Sequence, residues 1–196
     1  MAEIPEQNRL STQTFTAWAD AFTPAELDRI EAYGDRQAQE KAILLADAPE
    51  KEIIDRIRIT QTAWIQQNAE TQWMYDRMQK IVRSLNAESY KYELSGFSEP
   101  FQYTVYQSQE GGHYDWHVDH GPLQFQRKLS VSLQLSDGAA YDGCDLQFMA
   151  GNKMEVAPRE RGAIIAFPSY VLHRVTPVTR GVRKAVVVWV TGPNFR

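Results

Sequence analysis

The fold turns on Gly112-His113-Tyr114-Asp115-Trp116-His117-Val118-Asp119 and on a second stretch, Leu172-His173-Arg174-Val175-Thr176-Pro177-Val178-Thr179-Arg180-Gly181. His117 and Asp119 are two residues apart. In extended chain their imidazole and carboxylate share a face. His173 sits where a strand would begin. The chain holds four histidines, none before position 113. Outward from these stretches the hydrophobic period is two. Phe101, Tyr103 and Val105 alternate with Gln102, Thr104 and Tyr106. Leu129, Val131, Leu133 and Leu135 alternate with Ser130, Ser132 and Gln134. Tyr90, Tyr92 and Leu94 alternate with Lys91 and Glu93. Leu146 to Met149, Ala163 to Phe167 and Lys184 to Thr191 also read as strands. Turn chemistry joins them: Glu110-Gly111-Gly112, Ser136-Asp137-Gly138, Asp142-Gly143, Arg161-Gly162 and Arg180-Gly181. Short strands at such close spacing argue for a β-sandwich or barrel.

The N-terminal half reads as helical. Thr23-Pro24-Ala25-Glu26 has the form of a capping box, with Pro24 at the first helical position and Phe22 as a staple. Lys51 to Ile59 is a second candidate helix, from Ile53, Ile54 and Ile57. Met74, Met78, Ile81 and Leu85 fall on one face of a third, with Asn86 as its stop. Ala38 to Glu52 reads as a loop or short helix. These helices have too little mass for a separate domain. We expect one domain over residues 1–196: a mainly helical support over 1–88, packed outside the sheet, and a β-rich catalytic core over 89–196.

Composition narrows the function. The chain has 196 residues, 43% hydrophobic and 23% charged, the profile of a soluble globular protein. One cysteine, Cys144, excludes an internal disulfide and a cysteine-based zinc site. A net charge of −4 argues against nucleic acid as partner. The longest apolar runs are strand-length, so no membrane span is expected. No signal peptide is legible, and the expected location is cytoplasmic.

Two histidines and a carboxylate are the facial triad of non-heme Fe(II) oxygenases. Such a set holds one side of an octahedral metal and leaves the other side open. A His-x-Asp pair alone is common in surface turns. Arg183, ten residues after His173, strengthens the reading. Facing inward, its fork would need a carboxylate partner; facing outward, it would be an ordinary strand residue.

At these residues the sequence resembles the 2-oxoglutarate and Fe(II)-dependent dioxygenases, in particular their prolyl 4-hydroxylase-like branch with the PKHD-type hydroxylases. The likeness lies in the two stretches quoted, in Arg183, and in Tyr141-Asp142-Gly143-Cys144-Asp145-Leu146, and covers about Phe101 to Trp189. It implies an α+β fold with a double-stranded β-helix (jelly-roll) core. It implies His117, Asp119 and His173 as Fe(II) ligands and Arg183 as the binder of the distal carboxylate of 2-oxoglutarate. Tyr106, Tyr114 and Gln134 would line the cosubstrate site; Arg127 and Trp189 would face the substrate. For the tyrosines and Trp189 simple core packing is the alternative; for Arg127 and Gln134 it is a solvated strand face. The resemblance further implies O₂ as co-reactant, ascorbate as an accessory, and hydroxylation of a C–H bond with release of succinate and CO₂. A prolyl residue of a peptide or protein is the leading substrate. A free amino acid, another small molecule, or a non-catalytic cupin-like metal module are the alternatives. Nucleic-acid demethylation is disfavoured by the missing Arg-x-Asn-x-Thr-x-x-Arg run. Cys144 stands where the family has glycine, in a turn that could need positive φ. The sequence leaves the oligomeric state and the roles of His113 and His120 open. Substrate loops are expected at Gln107 to Gly112 and His120 to Gln126.

Overall fold

The computed structural model describes residues 9–12, 14–42 and 56–194. Its strands in chain order are β1 (Arg9–Ser11), β2 (Thr16–Trp18), β3 (Glu40–Lys41), β4 (Arg58–Ile59), β5 (Gln61–Ile65), β6 (Phe101–Gln107), β7 (His113–His117), β8 (Arg127–Gln134), β9 (Asp142–Gly143), β10 (Leu146–Ala150), β11 (Lys153–Val156), β12 (Ile164–Pro168), β13 (His173–Val175), β14 (Val178–Arg180) and β15 (Val182–Thr191). The helices are α1 (Pro24–Asp35) and α2 (Gln72–Leu85).

The larger sheet has the order β1-β2-β12-β8-β15-β6-β5-β3, and a smaller one faces it in the order β11-β10-β13-β7-β4. Pairing is antiparallel throughout these sheets. This is the expected jelly-roll class. Period two gives the large sheet two different faces. Phe101, Tyr103 and Val105 of β6, Leu129, Val131 and Leu133 of β8, and Val186, Val188 and Val190 of β15 turn to the helices. Gln102, Thr104, Tyr106, Ser132, Arg183 and Trp189 turn the other way, into a cleft between the sheets. A second apolar cluster, built on Phe15, Phe148, Ile165 and Phe167, closes one end between them.

The helices form as their sequence dictates. The Thr23 side chain accepts from the Glu26 N–H, and the Glu26 carboxylate accepts from the Thr23 N–H at 2.7 Å. Phe22 lies in the core beside Leu27 and Ile30. On α2, Met74, Met78, Ile81 and Leu85 are buried, with Tyr75 and Val82 widening the stripe. Both helices pack on the outer face of the large sheet.

Three expectations change. Residues 90–95 are not a strand. α2 runs into a five-residue π-turn (Asn86–Tyr90), and Lys91 follows at φ +57°. The Asn86 side chain causes this: its amide donates to the Tyr92 carbonyl at 2.9 Å and its oxygen accepts from the Tyr92 N–H at 3.0 Å. The alternation of Tyr90, Tyr92 and Leu94 instead packs irregular chain onto the core. The candidate helix at Lys51 to Ile59 lies partly outside the described residues; of its described part, Arg56 and Ile57 are helical and Arg58–Ile59 is strand β4. Of Ala38 to Glu52, the described part holds strand β3 and continues to Ala42. The described N-terminal residues therefore supply strands to both sheets as well as helices. No described helix is long and apolar enough to cross a membrane.

Cys144 adopts φ +55° directly after Gly143 at φ +69°, the left-handed backbone that the turn's usual glycine would favour.

Met78→Ala should lower unfolding stability by about 2–5 kcal/mol, because Met78 is wholly buried under the sheet. Exposed Lys80→Ala on the same helix should change it by no more than about 0.5 kcal/mol. Urea unfolding of the two variants checks this; equal effects would refute the packing of α2.

Candidate metal centre

β7 and β13 are neighbours, and their register sets His117 opposite His173. Asp119 follows β7 by two residues, where its backbone N–H donates to the Ser169 carbonyl at 2.9 Å. The three side chains converge: a ligand atom from each lies within 4.8 Å of the others. His117 Nε2 is 3.9 Å from Asp119 Oδ1, and His173 Nε2 is 3.7 Å from Asp119 Oδ2. Among the described residues this is the one cluster of three metal-capable groups.

The two histidines are oriented in the same way. His117 Nδ1 lies 2.7 Å from the Asp115 carbonyl, and His173 Nδ1 lies 2.9 Å from the Val171 carbonyl. A carbonyl only accepts, so Nδ1 carries the proton in both rings and each Nε2 turns a lone pair toward Asp119. Burial and the nearby His173 push the pKa of His117 down to about 3, which keeps it neutral. Burial alone would raise the pKa of Asp119, but His173, His117 and the Ser130 hydroxyl outweigh it and hold the carboxyl below its ordinary value. Ser130 Oγ donates to Asp119 Oδ2 at 2.6 Å and contacts Ser169 Oγ at 3.0 Å. Two imidazoles and one carboxylate, all aimed at one point, fit a divalent metal of the Fe(II) type.

The cluster lies in a cleft of about 1170 Å³, ample for a small dicarboxylate plus part of a second molecule. Arg183 is buried, and Nε donates to Gln134 Oε1 at 3.0 Å. Among the described residues it makes no ion pair with a carboxylate. Tyr106 faces it from the paired position on β6, with the guanidinium 5.6 Å from the ring. Burial raises the Tyr106 phenol and takes that of Tyr114 to about 12, so both stay protonated. Tyr114 stacks on the His117 imidazole at 3.5 Å between centroids.

Arg127 and Trp189 meet at the cleft wall, with the guanidinium 3.8 Å from the indole. Arg127 is also paired with Glu99, Nε donating to Oε1 at 2.7 Å. The Trp189 Nε1–H is buried without an acceptor among the described residues. His113 and His120 stand apart from the triad: each has a ring nitrogen against a backbone carbonyl, of Gly111 at 2.9 Å and of Arg127 at 3.2 Å. Of the two expected loops, the one after His120 lines the cleft with Pro122, Leu123 and Gln124.

Sequence reading missed four residues here. Ser130, which holds Asp119, was legible only as a polar member of an alternating strand. Glu99 precedes a proline and carries no pattern. Trp64 and Arg58 come from β5 and β4, in the half read as support; Trp64 touches Trp189 at 6.3 Å between centroids.

Residues 101–191 match the sequence profile of the 2OG-Fe(II) oxygenase superfamily. A PKHD-type hydroxylase of Teredinibacter turnerae is 37% identical over 86 residues, 41% of this chain and 38% of that protein. One of Idiomarina loihiensis is 30% identical over 135 residues, 65% of this chain and 58% of that protein. The alignments thus span less than two thirds of these curated relatives. In fold, the chain is similar to a Pseudomonas putida prolyl-4-hydroxylase, with TM-score 0.69, 23% identity and coverage of 93% and 95% of the two chains. It is also similar to a Trichoplax adhaerens prolyl hydroxylase solved with a hypoxia inducible factor peptide fragment, with TM-score 0.75, 17% identity and coverage of 92% and 84%.

Ser130→Ala should weaken Mn(II) binding by about 10–100-fold while leaving the fold intact, because it frees the Asp119 carboxylate. A calorimetric titration measures this; unchanged affinity would show that Asp119 needs no such support.

Proposed function

From the match of residues 101–191 to the 2OG-Fe(II) oxygenase superfamily profile, we propose that this chain is an Fe(II)- and 2-oxoglutarate-dependent hydroxylase acting on a prolyl residue of a peptide or protein. The observation that carries the reading is the convergence of His117, Asp119 and His173 in one open cleft with a buried Arg183 that has no carboxylate partner among the described residues. When bound, Fe(II) with 2-oxoglutarate supplies the oxidising power for C–H hydroxylation, with O₂ consumed and succinate and CO₂ released.

The chain's own residues do the rest. His117, Asp119 and His173 hold the metal from one side and leave the cleft side free. Arg183 clamps the distal carboxylate of the cosubstrate, its fork already set by Gln134 Oε1. Gln134 thereby positions the clamp. The protonated Tyr106 offers a hydroxyl to the same carboxylate, and Tyr114 steadies the His117 ring by stacking. Arg127, fixed by Glu99, and Trp189 form the wall along which substrate lies. The indole N–H is a donor awaiting an acceptor, which a peptide carbonyl supplies. PKHD-type relatives and the open, aromatic cleft support a prolyl peptide over the metal-module reading, in which a buried arginine beside the metal would have no task. Ascorbate as an accessory and a cytoplasmic location belong to the same reading: the ligands are nitrogen and oxygen only, and the one cysteine is buried.

Purified protein given Fe(II), ascorbate and 2-oxoglutarate should form succinate, and proline-containing peptides that stimulate it should gain the mass of one oxygen atom. Arg183→Gln should weaken 2-oxoglutarate binding by about 100-fold or more, as expected for loss of a bidentate charged contact. No binding of 2-oxoglutarate by the metal-loaded parent protein, or equal binding by Arg183→Gln, would contradict the proposal.

A further inference from the structure

The cleft holds a second buried arginine. Arg58 is only 8% exposed, although it belongs to a two-residue strand at a sheet edge. β4 pairs with β7, and the register sets Arg58 opposite Tyr114. Its guanidinium lies 4.5 Å from the Tyr114 ring centroid, and that ring lies 3.5 Å from the His117 ring. The charge therefore sits no farther than about 8 Å from a metal-ligand imidazole. Nη2 donates to the neutral Gln102 Oε1 at 2.9 Å, while Nε is buried with no acceptor among the described residues. No ion pair to Arg58 occurs among the described residues, and Arg58 lines the cleft.

A buried cation held by one neutral hydrogen bond is costly, and the fold keeps it only if something supplies the missing anion. Charge counting says what. A divalent metal on Asp119 leaves one positive charge, and Arg183 adds a second. The dianionic cosubstrate cancels both. Arg127 is cancelled by Glu99. Glu40 and Lys41, which also line the cleft, offset each other, so among the described residues Arg58 remains as the surplus charge. It also pulls the Tyr106 and Tyr114 phenols downward against their burial, so its field reaches the centre of the cleft.

We propose that Arg58 binds a carboxylate of the primary substrate, close to the carbon that reacts. The substrate class is then a peptide whose reacting residue is chain-terminal, with its own carboxylate free. This rests on the oxygenase reading above and narrows it. The other source of the same chemistry is the metal-side carboxylate of 2-oxoglutarate.

The test uses the full chain, loaded with Fe(II) under nitrogen, and reads binding by calorimetry. In one arm 2-oxoglutarate is titrated into the parent, Arg58→Gln and Arg183→Gln. In the other, N-acetyl amino acids, proline included, are compared with their amides, with and without 2-oxoglutarate. Circular dichroism and thermal unfolding confirm that the variants fold. We expect Arg58→Gln to bind 2-oxoglutarate within about threefold of the parent. We expect the parent to prefer at least one acid over its amide by about tenfold or more. Arg58→Gln should erase that preference, and Arg58→Lys should restore part of it. A preference that survives Arg58→Gln overturns the proposal. So does a parent with no preference in any pair, including pairs that do not bind. A loss of 2-oxoglutarate affinity in Arg58→Gln matching that of Arg183→Gln overturns it in favour of the cosubstrate. A parent that binds no 2-oxoglutarate but still selects acids through Arg58 sinks the oxygenase reading and leaves the carboxylate site standing.

Discussion

Two imidazoles on neighbouring antiparallel strands each donate an Nδ1–H hydrogen bond to a carbonyl two residues upstream, and the site depends on that pair of hydrogen bonds. They choose the tautomer, fix the ring plane and leave both Nε2 lone pairs facing Asp119. A rotatable imidazole would lose part of its binding energy to ordering. Here that ordering is done during folding, by strand register. His117 sits opposite His173 because β7 and β13 pair at that offset, and a one-residue slip would send one ring to the other face. The register is in turn defended from both sides. The cluster around Phe148 and Phe167 packs against His173, and Tyr114 lies flat on His117.

The large sheet divides labour between its faces. One face is apolar and takes α1 and α2, which gives it the burial that stabilises it. The other carries an unusual load for an interior: Gln102, Thr104, Ser132, Gln134, Arg183 and Trp189. Such groups destabilise a core unless they meet partners. Several do so among themselves, as with Arg183 and Gln134, or Arg58 and Gln102. In the cleft, Arg58 Nε and the Trp189 N–H are buried without an acceptor among the described residues. The fold thus holds unfilled capacity for hydrogen bonding where ligands enter, the usual trade of stability for function.

How much of this was legible in the sequence depended on the range of the interaction involved. The capping box at Thr23 and the Met74–Leu85 stripe are local, and both appear as read. The long strands from Phe101 onward carry their period over five or more residues and were also legible. His117, Asp119, His173 and Arg183 were identified by residue type and spacing, and the structure brings them into one cleft. Strands β1, β3 and β4 were not legible. They are two or three residues long and exist because a neighbouring strand offers hydrogen bonds, which no local pattern records. Residues 90–95 alternate as a strand does, yet Asn86 ties the chain into a turn first. Ser130 and Arg58 look ordinary in sequence, since their meaning comes from Asp119 and Tyr114, distant along the chain or set across a sheet.

The central claim is that the two Nε2 atoms and the Asp119 carboxylate bind one metal together. X-ray absorption of the Fe(II)-loaded protein under nitrogen tests it most directly. The account predicts two imidazole scatterers per iron with oxygen ligands completing the shell, and the loss of one imidazole in His173→Ala. A spectrum without imidazole scattering, or one that is the same in His173→Ala, would contradict it.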